Sequence, residues 1–329
     1  MRKFALMFLL VLSPALCIAQ LDEVSFLVDG GISDVNLSGR IEKNTSRLLS
    51  MMNSTVISGK TKIKFEKSDE EVFTKDGKRI LEELWATSAM ICPISSVSSK
   101  CLSLQGGSMI QTRNIPITML AADEDNSEQE LVVCYNPTGM IDNILIALDE
   151  HRYVDIISAH LEVKELYRRQ AIVDFVENFR TAYNRKDIDY INNVFSNNAL
   201  IITGKVVKVK NLSDLSTQSL TTEEIQYQKS TKEEYITNLK KCFRGNSYIN
   251  VKFDEIEVIR HPKHSNIFGV TLKQYWNSSN YSDVGYLFLM IDFEDETNPC
   301  IQVRTWQPDK FNGKPLPREE IFTLDKFNI

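Results

Sequence analysis

One strand in the last third of the chain constrains the fold more than any other segment. Residues 284–293 are apolar at both alternating positions. One set is Val284, Tyr286, Phe288 and Met290, and the other is Leu287, Leu289 and Ile291. Because successive side chains of a strand point to opposite faces, both faces of this strand must be covered. We expect helices on one face, and on the other face either the preceding domain, residues 20–160, or a second subunit in a homodimer.

The neighbouring segments predict further strands around it. In residues 249–258 the apolar positions alternate and then change phase, as the side chains show: Ile249, Val251 and Phe253, then Ile256 and Val258. A phase change within one strand indicates a β-bulge, which bends the strand. Residues 268–276 and 301–306 have the same strand-like composition. The last third of the chain therefore predicts a bent antiparallel sheet.

Helices precede this sheet. Residues 153–184 carry one apolar stripe at helical spacing, and Asp187 is a candidate N-cap for a short helix that follows. Residues 199–203 predict a short strand, and the polar residues 210–229 predict an irregular insertion. A further helix begins at Thr231, since Thr231 and Glu234 match a capping box.

This order of elements resembles the NTF2-like superfamily, in which helices pack on a bent antiparallel sheet to form a cone. The resemblance includes residues 182–189, AYNRKDID, and residues 194–201, VFSNNALI. It covers about residues 164–311, and the ending VRTWQP at 303–308 is similar to exported, uncharacterised NTF2-like proteins of Bacteroidetes. The resemblance implies an α+β fold with an NTF2-like domain over residues 161–311 and a tail over residues 312–329.

The preceding residues 20–160 predict a smaller α+β domain. Two apolar periodic segments, 41–56 and 80–90, predict helices, and short β-type segments follow up to residue 148. Asn136-Pro137-Thr138-Gly139 is a turn signal that predicts a hairpin. Two interpretations stay open for this domain: an independent α+β unit, or a diverged cone of the same kind as the second domain.

The first 19 residues have the pattern of a secretory signal peptide. Arg2 and Lys3 precede the apolar run 4–12, and Ala19 is the expected cleavage position. The sequence therefore predicts an exported protein, periplasmic or extracellular. A lipoprotein signal with Cys17 as the modified residue is the less favoured alternative, because Leu16 stands where a small residue is needed. No later stretch is long and apolar enough to predict a transmembrane segment in the processed chain.

Charge and cysteine usage exclude several classes of function. The formal net charge is −6, which argues against a nucleic-acid partner. Cys92 and Cys101 could form a disulfide across a short loop, or could both be small buried hydrophobes. His261 and His264 lack the partners of a zinc site, and no nucleotide-binding or nucleophile-elbow motif occurs, so no metal or cofactor is predicted.

The resemblance implies a pocket inside the cone, which in related enzymes holds a carboxylate or histidine base and a hydrogen-bond donor. The candidate pocket residues are Tyr183, Asp189, Tyr235, Asp283, Arg304 and Trp306. None lies in a motif that assigns it to catalysis, so we predict no catalytic residue.

We expect an exported, non-catalytic protein that serves ligand binding or protein association in the cell envelope. Its ligand would be an unknown small molecule held in the cone. One alternative is a small-molecule isomerase or hydrolase that uses the cone pocket. The other is an envelope scaffold subunit, with residues 210–229 and 312–329 as contact segments.

Overall fold

The computed structural model describes residues 22–104, 108–122, 127–148, 163–211 and 220–327. The predicted signal peptide and the predicted domain boundary at residues 160–161 lie outside these ranges. Five α-helices are described: α1 Val35–Ile57, α2 Lys75–Thr87, α3 Val163–Asn184, α4 Ile188–Val194 and α5 Lys232–Gly245. None of the described helices is long and apolar enough to cross a membrane.

The described strands fall into two groups along the chain. The first group is β1 Ser25–Val28, β2 Met90–Ile91, β3 Ser96–Ser99, β4 Cys101–Leu104, β5 Met109–Met119, β6 Glu128–Tyr135 and β7 Ile141–Ile146. The second group is β8 Phe195–Asn211, β9 Leu220–Ser230, β10 Ile249–Arg260, β11 Ile267–Ser278, β12 Ser282–Asp292, β13 Cys300–Pro308, β14 Lys310–Phe311 and β15 Lys314–Pro315.

The first group of strands and the helices α1 and α2 form the N-terminal unit, residues 22–148. Its main sheet has the order β2-β5-β6-β7, with β4 also paired to β5. The apolar sides of the two helices pack on one face of this sheet and share one core with it. The predicted hairpin is confirmed between β6 and β7, where Gly139 adopts a φ of 82° in the turn. The interpretation of this unit as a diverged cone stays a prediction.

Helices α3 to α5 and the second group of strands form the C-terminal unit, residues 163–327. Its six-stranded sheet has the order β10-β11-β12-β13-β8-β9, and it is antiparallel except between β13 and β8. The helices cover its concave face and share a second apolar core with it. The predicted bulge is confirmed, since the β10–β11 register shifts between Asp254 and Glu257 and Glu255 has a φ of 49°. The α+β fold and the predicted order of elements are therefore both observed.

The second face of β12 is covered by the end of the same chain. Phe288 and Met290 on this face are 1% and 5% exposed, and they share a small core with Leu324. The ring of Phe327 stacks on the ring of Phe288, with 5.2 Å between the ring centroids. The expectation that both faces are covered is confirmed. Among the described residues, residues 316–327 fold back and cover this face in place of the expected N-terminal unit, and a homodimer through this sheet stays a prediction.

Part of the predicted irregular insertion at residues 210–229 is strand, and residues 212–219 lie outside the described residues. β8 extends to Asn211 and pairs in antiparallel register with β9, Leu220–Ser230. The sequence of β9 does not alternate because β9 is an edge strand and residues 226–229 are all exposed. A strand that buries neither face has no need of apolar positions, so hydrophobic periodicity could not detect it.

The predicted alternative of a disulfide between Cys92 and Cys101 is not observed. Both residues are free thiols, buried at 0% and 2% exposure in the core of the N-terminal unit. The Sγ atom of Cys92 donates to the carbonyl oxygen of Ile94 at 3.4 Å. The two cysteines therefore act as small buried hydrophobes, and burial raises the pKa of both thiols.

Candidate functional site

Three of the predicted pocket residues meet on the concave face of the C-terminal sheet. Tyr183 comes from the last turn of α3, Tyr235 from α5, and Arg304 from β13. The hydroxyl groups of Tyr183 and Tyr235 form a short hydrogen bond. The guanidinium carbon of Arg304 lies 4.9 Å from the centroid of the Tyr235 ring, in the geometry of a cation–π contact. These residues are separated by 52 and 69 positions in sequence, so only the fold brings them together.

Arg304 is a buried cation without a carboxylate opposite it. Arg304 is 7% exposed, and its Nε atom has no hydrogen-bond partner. Within the described ranges no aspartate or glutamate forms an ion pair with it, and its recorded partners are the two tyrosine side chains. A buried charge normally requires a counter-charge or a full set of hydrogen bonds. Arg304 therefore has unused capacity to bind an anion.

Tyr183 is held as a neutral phenol. It is 4% exposed, and burial raises the pKa of its hydroxyl well above the ordinary value of 10.0. A neutral hydroxyl both donates and accepts a hydrogen bond, so Tyr183 can donate to a ligand oxygen while it contacts Arg304. The pair of hydroxyls beside the guanidinium group forms a set of donors on one wall of the cone.

Aromatic rings surround these polar groups. The Tyr183 ring makes edge contacts with Phe179, Phe243 and Trp276, with ring centroids 5.0, 6.2 and 5.9 Å apart. Trp276 is only half buried, whereas Phe179 is fully buried. The polar set thus lies between the fully buried core of the C-terminal unit and the partly exposed Trp276. The arrangement suits a ligand with an apolar body and a polar group.

The other predicted pocket residues lie elsewhere or at the edge of this group. Asp189 is exposed in the first turn of α4, so its prediction as a pocket residue was wrong and it is a helix-start residue. Asp283, at the start of β12, accepts a hydrogen bond from the exposed Tyr281. Burial raises the pKa of Asp283. Trp306 is half buried and packs closely over Gly285, where an added Cβ would lie 2.6 Å from the indole ring.

A second group of polar residues, which the sequence did not indicate, lies where α3 meets the N-terminal unit. Glu177 of α3 is fully buried and receives both terminal nitrogen atoms of Arg113 from β5. Its Oε1 atom also accepts from the backbone nitrogen of Leu148 at 2.8 Å. This ion pair joins two residues 64 positions apart and connects the two units.

Arg180 forms a second connection between the units. Its Nε atom donates to the carbonyl oxygen of Val251 at 2.6 Å, and its terminal nitrogens donate to Ala147 and Gln129 of the N-terminal unit. Burial lowers the pKa of Arg180 to about 10, which leaves it charged at neutral pH. The available signal was the three-residue spacing of Asp174, Glu177 and Arg180 beside the apolar stripe of α3.

Asp174 lies beside this ion pair and should make stability depend on pH. Burial and the neighbouring charge of Glu177 raise the pKa of Asp174 to about 6 from 3.8. Folding therefore favours the protonated form of Asp174. The stability gained from this protonation is complete below about pH 4 and is lost as the pH rises through 6. We expect Asp174→Asn to raise the melting temperature at pH 7 and to leave it nearly unchanged at pH 4. Thermal unfolding of both proteins between pH 4 and pH 7.5 measures this, and an equal difference at both pH values would contradict it.

The described residues contain no group of three histidine, cysteine, aspartate or glutamate side chains that could hold a metal ion. His261 and His264 contact each other with tilted rings, whose centroids lie 4.8 Å apart, in an exposed turn. The Nδ1 atom of His261 accepts from the backbone nitrogens of Lys263 and His264, so the histidine stabilises the turn.

Comparisons with known proteins give similarities of fold. No protein-family model matches the chain, and no curated protein matches its sequence. An NTF-2 like protein of unknown function from Shewanella oneidensis MR-1 is 12% identical, with a TM-score of 0.30 over 42% of this chain and 98% of its own. A member of the NTF2-like family from Streptomyces avermitilis, named as a dehydratase candidate, is 9% identical, with a TM-score of 0.31 over 42% of this chain and 94% of its own.

A third solved structure, Bd1075 from Bdellovibrio bacteriovorus, is 9% identical, with a TM-score of 0.33 over 63% of this chain and 92% of its own. At these identities and scores the similarities carry no inference about activity.

Proposed function

We propose that this protein is an exported, non-catalytic binding protein whose cone holds a small apolar molecule with a carboxylate group. The observation that carries the proposal is the buried guanidinium group of Arg304, which has an unpartnered Nε atom and no counter-charge among the described residues. A ligand carboxylate would supply that charge and accept hydrogen bonds from Arg304 and Tyr183.

Both the charge of Arg304 and the residues around it suit a carboxylate ligand. Arginine is suited to carboxylates because its planar nitrogens match the two carboxylate oxygens. The phenol of Tyr183 stays neutral. Arg304 and Tyr183 together therefore present one positive charge and no negative charge to the ligand. Trp276, half buried beside Tyr183, offers apolar surface to the body of the ligand, and Phe179 and Phe243 pack against the Tyr183 ring.

The alternative of catalysis in the cone depends on a suitable base. Asp283, whose pKa is raised by burial, is the predicted pocket residue with acid–base capacity. Its hydrogen-bond partner Tyr281 is 58% exposed, whereas Arg304 and Tyr183 interact with each other in the buried part of the cone. Asp283 pairs in register with Trp276, but its carboxylate bonds to Tyr281 and not to Arg304 or Tyr183, so binding by Arg304 and Tyr183 is the better supported function.

The test uses phenylacetate as a carboxylate probe and calorimetry at pH 7.5. We expect the wild-type chain to bind phenylacetate with a Kd on the order of 0.1–1 mM, as for a ligand of about ten heavy atoms. Arg304→Met should weaken binding at least tenfold, because methionine keeps an unbranched apolar stem and removes the charge. 2-Phenylethanol, which has the same ring without the carboxylate, should bind the wild type more weakly.

The matched control is Arg185→Met. Arg185 is also a mostly buried arginine of the C-terminal unit, but its terminal nitrogen is paired with Asp187. We expect this variant to bind phenylacetate as the wild type does. Absence of saturable binding to the wild type, or equal affinity of the Arg304 variant, would overturn the proposal.

A further inference from the structure

A cavity of about 910 Å³ lies between the two units, beside the part of α3 that carries Ala171, Asp174 and Phe175. The N-terminal unit contributes the face of its sheet that α1 and α2 leave open, with Met109, Gln111, Cys134 and Leu145. The C-terminal unit contributes α3, α4 and residues 293–299. The volume is within the range of small-molecule sites in proteins.

Two hydrogen-bond acceptors lie side by side in the wall of this cavity. Gln111 is 1% exposed, its Nε2 atom donates to Asp174 Oδ1 at 3.3 Å, and its Oε1 atom has no partner. Asp174 Oδ1 also accepts from Gln170 Nε2 at 3.0 Å. An unpartnered buried amide oxygen is costly, and a ligand that donates hydrogen bonds would relieve that cost. The adjacent carboxylate of Asp174 favours a ligand that also carries a positive charge.

The remainder of the wall is mostly apolar. The apolar lining residues include Leu102, Leu104, Met109, Leu145, Phe175 and Phe293. Cys134 adds an uncharged thiol, because burial raises its pKa. The cationic residue of the wall, Arg168, pairs with Glu296 through one terminal nitrogen, and its other terminal nitrogen has no hydrogen-bond partner. The cavity wall is therefore mainly apolar, with two hydrogen-bond acceptors, Gln111 Oε1 and Asp174 Oδ1, close together.

We propose that this cavity binds a small organic amine. Its ammonium group is held by the carboxylate of Asp174 and the amide oxygen of Gln111, and its apolar body packs against Phe175 and Leu145. The two proposals concern different side chains, Asp174 and Gln111 in this cavity and Arg304 and Tyr183 in the proposed carboxylate site.

The charge state of Asp174 supports this chemistry. The charged groups that act on it are Glu177 of its own helix and Arg113 of β5, which pair with each other. Gln111 and Gln170 donate to it, and Cys134 of β6 is neutral. The pKa of Asp174, about 6, leaves the carboxylate largely ionised at pH 7.5 and largely protonated at pH 5. Binding of an amine should therefore weaken as the pH falls through 6.

The test uses phenethylamine on the full chain by calorimetry, with 2-phenylethanol and phenylacetate as probes that share its ring. We expect saturable binding of the amine at pH 7.5 and binding at least fivefold weaker at pH 5. Asp174→Asn should weaken amine binding at least tenfold. Ala171→Phe, which places a ring in the cavity without changing its charge, should weaken it to a similar degree.

The control variant is Arg304→Met, which should bind phenethylamine as the wild type does. Thermal unfolding of each variant shows that a loss of binding is not a loss of folding. The proposal is overturned if the wild type does not bind phenethylamine, if 2-phenylethanol binds equally well, or if Asp174→Asn keeps the wild-type affinity. Because the carboxylate site is tested with phenylacetate and Arg304→Met, either proposal can fail without the other.

Discussion

Replacing Glu177 by alanine is expected to lower the free energy of unfolding by about 3–5 kcal/mol. Glu177 is fully buried, and its carboxylate receives two nitrogen atoms of Arg113 and the backbone nitrogen of Leu148. The variant leaves the buried guanidinium group of Arg113 without its counter-charge and the amide of Leu148 without its acceptor. Equilibrium urea denaturation at pH 7 measures the change.

The control for this variant is Glu70→Ala. Glu70 forms an ion pair with Lys78 at 2.7 Å, but its side chain is 74% exposed. An exposed ion pair contributes little because water screens it, so a loss below about 1 kcal/mol is expected. If Glu177→Ala behaved like Glu70→Ala, the contact between α3 and β5 would not stabilise the association of the two units.

The second large effect concerns the two faces of β12. Phe288→Ala and Leu289→Ala are each expected to cost about 2–5 kcal/mol, because both leave a cavity in a packed core. Phe288 lies under the C-terminal residues and Leu289 lies in the core of the cone, and they are 1% and 0% exposed. Urea denaturation of both variants tests whether both faces of one strand contribute to stability.

Two further variants make the second prediction specific. Ile259→Ala, on β10 and 41% exposed, should cost less than about 1 kcal/mol. Phe327→Ala should show energetic coupling with Phe288→Ala, since the two rings stack. A Phe288→Ala variant that is as stable as Ile259→Ala would show that residues 316–327 do not pack on this face in solution.

Much of the local structure could be predicted because short-range patterns determine it. The phase change at residues 254–257 predicted the bulge, and the capping box at Thr231 and Glu234 is present at the start of α5. Tyr183, Tyr235 and Arg304 were named as pocket residues because the resemblance placed them on elements that form a cone. Asp189 was named on the same basis, and its exposure shows how weakly such a pattern selects a single residue.

The sequence alone thus determined the α+β class, the helix-then-sheet order and the need to cover both faces of residues 284–293. Only the tertiary structure decided what covers the second face, and which polar groups of α3 meet Gln111 and Arg113 of β5. The physical reason is that alternation and capping act over a few residues, whereas these contacts join residues 39 to 64 positions apart. The apolar pattern of a strand shows that both of its faces must be buried. Which surface covers each face depends on the packing of the whole chain.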